Sequence, residues 1–168
     1  MNSSIEERLK RVEEQLRFSD DVRAIKHLKA LYSRYCDGGW NSPTRNYQVV
    51  YDPDGVSGLF TVDGTWDAGT WGRAEGREGI RKLYQSFDTF PFTMHIVTNP
   101  VIEVTGDTAT GDWHMIGVAQ PTREAPSFFM VGIYNDEYVR TAEGWRFKSL
   151  RHTTAGTVSP FDIVWNKT

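Results

Sequence analysis

One cysteine, Cys36, stands in a chain of 168 residues, so no intramolecular disulfide and no cysteine-type zinc centre can form. Long apolar runs are absent as well, and the N-terminus lacks the apolar core of a signal peptide. No bilayer-spanning segment is therefore expected, and the cytoplasm is the expected compartment. Basic residues are not in excess: 19 Lys and Arg face 22 Asp and Glu, a net charge of −3, with no basic run. Nucleic acid and anionic membrane are thus poor candidate partners. No glycine-rich phosphate loop is present, nor any His/Asp/Glu cluster with metal-ligand spacing. Internal repeats and low-complexity segments are also missing.

Aromatic side chains are plentiful. Six Trp, seven Tyr and nine Phe make up 13% of the residues, enough for some rings to line a cavity as well as fill a core. The length suits one domain able to bury its own core. Within it, the stretch DDVRAIKHLKALYSRYCDGG (20–39) reads as an amphipathic helix. Val22, Ile25, Leu28, Tyr32 and Tyr35 recur at three- and four-residue spacing, Ser19 or Asp20 offers an N-cap, and Gly38-Gly39 offers a stop. Asp37 sits at the C-terminal end, where the helix dipole disfavours a carboxylate. Helix stability does not ask for it, so this end of the helix is expected to face a site.

Residues 4–17 predict a separate helix with Ile5, Leu9, Val12 and Leu16 at spacings of four, three and four, like two heptads of a coiled coil. We expect it docked on its own domain, with an arm reaching a neighbouring subunit as the alternative. Residues 40–58 are turn-rich and suggest a loop with a short helical piece. LFTVDGTWDAG suggests a first strand pair, broken at Gly64 and Gly69, and residues 76–90 a third helix stopped by Pro91. Four strands follow, over 95–104, 108–119, 128–141 and 145–154, with turns at Gly106-Asp107 and Glu143-Gly144. Helices followed by a meander indicate an α+β fold with helices on one face of a curved sheet. The expected division is an N-terminal helix (1–18), one α+β domain (19–155) and a C-terminal tail (156–168).

The order YCDGG, LFTVDGTWDAG, GREGI, HIVTNPVIEVTGDTATGDW and IYNDEYVRTAEGWRFKSLRH resembles the SnoaL-like group of the nuclear-transport-factor-2-like superfamily. The resemblance implies a cone-shaped α+β barrel with a deep pocket, its mixed or antiparallel sheet curved around N-terminal helices packed on the concave face. It is specific for fold and weak for reaction, because such a fold hosts many. Within the superfamily the sequence is most similar to the branch of scytalone dehydratase, bile-acid 7α-dehydratase and hexachlorocyclohexane dehydrochlorinase. Those enzymes pair an Asp near the end of the second helix with a His opening the first long strand. Asp37 and His95 fall on these positions, Asn99 matches the Asn that follows the His, and Tyr32 falls where the branch carries Lys or Tyr five residues before the Asp.

An elimination needs a base beside the leaving group, and an imidazole serves when a carboxylate accepts its other N–H. The resemblance thus implies His95 as base, Asp37 as its orienter and Tyr32 as acid or electrophile, with neither metal nor cofactor. Strand parity with the resemblance puts Trp66, Phe90, Trp113, Met115, Met130, Tyr134 and Leu150 on the cavity wall, with His152 as a secondary polar contact. Such a wall suits an aromatic or polycyclic hydrophobic substrate. Leu150 replaces the Arg with which the dehydrochlorinase holds chloride, so water or another neutral group is the better leaving group. His27 and His114 are expected on the surface, and Cys36 to pack rather than react. The expected activity is a dehydratase-type lyase. An isomerase or polyketide-type cyclase using the same pocket, and a non-catalytic binding or assembly module, remain open. The branch commonly forms homotrimers, which makes a homo-oligomer, trimer before dimer, the expected assembly.

Overall fold

The computed structural model describes residues 4–42, 47–87 and 89–158, with 40–42 and 47–49 as backbone only. Helix α1 runs unbroken over Ile5–Cys36, 32 residues. Ser4 starts it with a reciprocal capping box: its Oγ accepts the Glu7 N–H at 3.1 Å and its own N–H donates to the Glu7 carboxylate at 3.0 Å. The two helices expected over 4–17 and within 20–39 are therefore one. Neither Gly nor Pro lies between them to break the ladder, and Asp20, rather than capping, pairs with Arg23 one turn on at 2.9 Å.

The two halves of α1 differ in what they touch. Residues 4–20 are exposed throughout. Ile5, Leu9, Val12 and Leu16 are 82%, 56%, 58% and 61% exposed, so the expectation that this stripe docks on its own domain is overturned. From Asp21 onward one face is buried through Ile25, Leu28, Tyr32 and Cys36. The changeover is fixed by Asp21, whose carboxylate takes the Arg140 guanidinium at 2.7 Å and the Trp145 indole N–H at 3.1 Å. These donors, Arg140 first, hold the Asp21 carboxyl below its usual range.

Beyond α1 come β1 (Trp40–Ser42) and β2 (Tyr47–Val49), which pair with each other, and the short α2 (Pro53–Gly58). Part of the expected loop, 43–46, lies outside the described residues. Next are β3 (Phe60–Asp67), β4 (Arg73–Glu75), α3 (Gly76–Ser86) and the long strands β5 (Phe92–Thr105), β6 (Thr108–Gln120), β7 (Phe128–Thr141) and β8 (Gly144–Val158). Strand β3 continues through Gly64, and β8 extends past the expected domain end at 155. The six-stranded sheet has the order β4-β3-β8-β7-β6-β5, antiparallel except for β3 beside β8.

The fold is α+β, as expected, with the helix packed on a mixed sheet, but the sheet does not close into a barrel. Edge strands β4 and β5 are not partners. Bulges between Thr98 and Val101 in β5 and at Ala155 in β8, opposite Val131 and Gly132, add bend without bringing those edges together. Part of the β5 edge is instead covered by the chain leaving α1: Gly38 and Thr93 exchange backbone hydrogen bonds of 3.2 and 3.0 Å. Gly39 (φ 81°) makes this approach possible, since a Cβ there would overlap the Pro91 carbonyl oxygen. No helix among the described residues is long and apolar enough to cross a membrane.

Alternation along β6 and β7 buries Trp113, Met115, Met130, Tyr134, Asp136 and Tyr138 toward α1 and leaves Ile116, Val131 and Ile133 outside. Facing this inner row, Lys29 is 1% exposed, and its Nζ lies 2.8 Å from Asp136 Oδ2. Tyr138 also donates to that carboxylate at 2.7 Å, while the ammonium lies 3.4 Å from the Tyr134 ring centroid. Burial pulls the lysine pKa down and the aspartate pKa up, each opposed by the attraction of its partner. Lys29→Met alone should destabilise the fold by about 3–5 kcal/mol, because it strands a buried carboxylate. Lys29→Met with Asp136→Leu should recover most of that loss, as read by urea unfolding. Equal instability of the single and double variants would count against a stranded charge as the cause.

Candidate active site

Asp37 is the first residue past α1, extended at φ −88° and ψ 146°. The Gly38–Thr93 exchange brings it beside β5, where its Oδ1 accepts the His95 backbone N–H at 2.8 Å and lies 2.9 Å from His95 Nδ1. Both side chains are mostly buried. With Nδ1 committed to the carboxylate, the neutral ring carries its proton there and Nε2 is left as an acceptor, a tautomer assigned from the hydrogen bonding. His95 is the fourth residue of β5, rather than its first.

His95 borders two spaces. One is an aromatic pocket enclosing about 80 Å³, lined by Tyr32, Trp66, Phe90, Met115, Met130, Tyr134 and His152 among others. That volume is narrow for a polycyclic skeleton. The other is an open cleft between α1 and β5, where Lys26, Lys29, Ser33, Asp37 and Trp113 meet. His95 borders both, and Asp37 backs it from the cleft side. Among the described residues, no three His, Cys, Asp or Glu side chains converge as a metal site.

Two expected wall residues are not on the aromatic pocket. Trp113 borders the α1–β5 cleft and donates its indole N–H to Tyr138 at 3.1 Å. Leu150 is wholly buried in the closed core: it faces inward as its parity implies, but its register partners Trp66 and Asp136 cover it from both neighbouring strands. Parity gives the face of a strand and not the depth along it. Asn99, at φ 52° beside the β5 bulge, faces His114 on the surface at 3.1 Å from its Nδ1 and does not reach the pocket. His27 and His114 are exposed, as expected.

The sequence reading missed Tyr84. Its hydroxyl, on α3, lies 2.7 Å from that of Tyr32, which also accepts the Trp66 indole N–H at 2.9 Å. The Cys36 thiol points at the Tyr84 oxygen at 3.6 Å. Only the aromatic content hinted at such a cluster, since residues 32, 66 and 84 share no periodicity. Two donors thus feed two hydroxyls that use one proton between them, leaving one O–H for the pocket. Burial raises both tyrosine pKa values and pushes the Cys36 thiol up to about 12, so all three groups stay protonated donors at neutral pH.

His152 is the second imidazole on the pocket. Burial, with smaller contributions from His95 and Lys29, lowers its pKa to about 4, and its Nε2 is buried without a hydrogen-bond partner. It packs against the Tyr134 ring at 4.9 Å. Its room comes from Gly132, where a Cβ would press on His152 Nε2.

A fold of this kind, one long helix on a six-stranded mixed sheet with the pocket between them, is that of the nuclear-transport-factor-2-like proteins. A family model described as a SnoaL-like domain matches residues 17–151, and the chain belongs to that family. Among solved structures, a hexachlorocyclohexane dehydrochlorinase of type 2 superposes with a TM-score of 0.74 at 19% identity, covering 90% of this chain and 96% of that one. A provisionally named scytalone dehydratase from Novosphingobium aromaticivorans gives 0.70 at 24%, covering 83% and 87%. An NTF2-like protein with a cystatin-like fold, from the same organism, gives 0.70 at 22%, covering 88% and 90%. At these identities the likeness is one of fold. No curated protein matches.

The His152 environment carries a pH signature. Its folded pKa of about 4 lies below the ordinary 6.5, so the unfolded chain binds the extra proton. Stability from this group is complete above 6.5 and is lost as pH falls toward 4, by roughly 2–3 kcal/mol. His152→Gln should flatten stability across that window in chemical unfolding at stepped pH. An unchanged slope would mean that His152 is not held neutral by burial.

Proposed function

We propose that this protein is a cofactor-independent lyase of the dehydratase type, acting on a small hydrophobic, aromatic molecule. The observation that carries the reading is the 2.9 Å contact of Asp37 with His95 Nδ1 beside an aromatic pocket. His95 Nε2 takes a proton from substrate carbon while Asp37 stabilises the imidazolium that forms. The electrons of the broken C–H bond form the new double bond as the neighbouring hydroxyl departs. That hydroxyl takes the proton from the His95 imidazolium and leaves as water, which returns the imidazole to its neutral form. Tyr32, backed by Tyr84 and Trp66, presents the spare O–H of its cluster to substrate oxygen.

Turnover on a panel of hydroxylated aromatics separates this reading from the alternatives. Loss of water supports it, a mass-neutral product points to an isomerase or cyclase, and no turnover points to a binding module. Once a substrate is found, His95→Ala and Asp37→Asn should each cut turnover by roughly two to four orders of magnitude. Tyr32→Phe should cost about one to three. The double variant of Asp37 and His95 should be little worse than either single one, because the residues act as a unit. A double loss equal to the product of the single losses would sink the dyad.

The same reading includes self-association. Ile96 pairs with Ile116 and Ile116 with Val131 across β5, β6 and β7, an exposed apolar row that a second copy can cover. We expect a homo-oligomer, trimer before dimer. Light scattering that returns the mass of one chain at micromolar concentration would refute it.

A further inference from the structure

Two buried polar atoms on the inner face of β8 have no hydrogen-bond partner among the described residues: His152 Nε2 and Thr154 Oγ1. His152 is 6% exposed, so bulk solvent does not reach it. Buried groups of this kind are nearly always paired, and what adjoins these two is the aromatic pocket that His152 lines. Residues two apart on a strand share a face, so the two sit side by side along β8. Gly132 on β7 is their common neighbour. It pairs with Thr154 in register, and His152 Nε2 lies 2.6 Å from where its Cβ would stand. Met130 and Tyr134, which flank Gly132 on the same face, both line the pocket. The wall thus has a gap between these side chains, backed by two unpartnered polar atoms.

Strands β7 and β6 stand between β8 and the β5 that carries His95. The gap therefore meets a different part of a bound molecule from the part that reacts. Burial lowers the His152 pKa to about 4, so the ring is uncharged at neutral pH. A neutral imidazole offers Nε2 as donor or acceptor according to tautomer, and a hydroxyl answers either. A carboxylate only accepts, and it would bring an unpaired charge into an aromatic wall. We propose that His152 and Thr154 bind a hydroxyl that the substrate keeps, so that the substrate is a phenol-type ring hydroxylated at the end away from the Asp37–His95 pair. The His152 edge moves off Gly132 to admit that group, and no side chain at 132 resists it. The inference rests on the pocket being the substrate site, as proposed above, and not on the reaction carried out there.

Phenol and toluene, close in size, test it on the full chain by calorimetric or NMR titration. A merely apolar pocket favours toluene, since phenol gives up more hydration on entry. The unchanged protein should instead hold phenol about tenfold tighter than toluene or better. Phenol, and not toluene, should move the ring-nitrogen NMR signal of His152. His152→Leu should reverse the preference, and Thr154→Val, an isosteric change, should cut it about threefold to tenfold. His95→Ala should leave it intact. The proposal is overturned if toluene binds as tightly as phenol or if neither binds. It is equally overturned if the preference survives both His152→Leu and Thr154→Val, or if His95→Ala removes it, which would put the hydroxyl at the dyad. If the His152→Leu chain does not fold, the His152 signal and Thr154→Val decide in its place. Water loss catalysed by a protein that prefers toluene would overturn the niche alone, whereas a phenol preference without turnover would overturn the lyase reading alone.

Discussion

The contact on which the rest depends is the buried pair of Lys29 and Asp136. An amphipathic helix laid on a sheet can slide and roll at modest cost while its partners are apolar. A buried ammonium 2.8 Å from a buried carboxylate cannot, because any displacement strands a charge in low dielectric. The pair therefore fixes the rotation of α1 over β7. Tyr32 and Cys36, three and seven residues later, share the face of Lys29 and enter the interior. Asp37, the first residue off the helix, is delivered to the β5 edge. Asp21 adds a second anchor two turns earlier, through Arg140 and Trp145.

What this positioning yields is a pocket with asymmetric chemistry. Two imidazoles line it in different surroundings. His95 has a carboxylate on Nδ1 and sits between the pocket and an open cleft. His152 has a buried, unpartnered nitrogen and stays neutral down to about pH 4. Environments that separate two like groups also separate their roles, one suited to moving a proton and the other to contacting substrate uncharged. The same pocket holds a donor cluster in which Trp66 donates to Tyr32 and Cys36 to Tyr84, and the two paired hydroxyls carry one more proton than they consume between themselves.

Apolar surface left outside the core has two locations with different origins. The row of Ile96, Ile116 and Val131 is the outer face of strands whose inner face builds the pocket wall. The stripe of Ile5, Leu9, Val12 and Leu16 belongs to a helix that runs past the end of its own domain. A capping box at Ser4 starts the helix where the stripe begins.

The sequence by itself determined the α+β class, the order of long strands and turns, and the pairing of Asp37 with His95. Each rests on local periodicity or on segments matching a family in order and spacing. It placed Tyr32, Trp66, Met115, Met130 and His152 on the pocket correctly, because alternation along a strand and the face of a helix are local properties. Tertiary structure alone decided the rest. Leu150 and Trp113 have the right parity, but the packing of neighbouring strands sends one into the closed core and the other to an adjacent cleft. Tyr84 joins Tyr32 across 52 residues, a relation that no window of sequence contains. The amphipathic stripe at 5–16 read the same whether docked or free. Periodicity records which side of a helix is apolar; what lies within reach of that side is set by where the rest of the chain has packed.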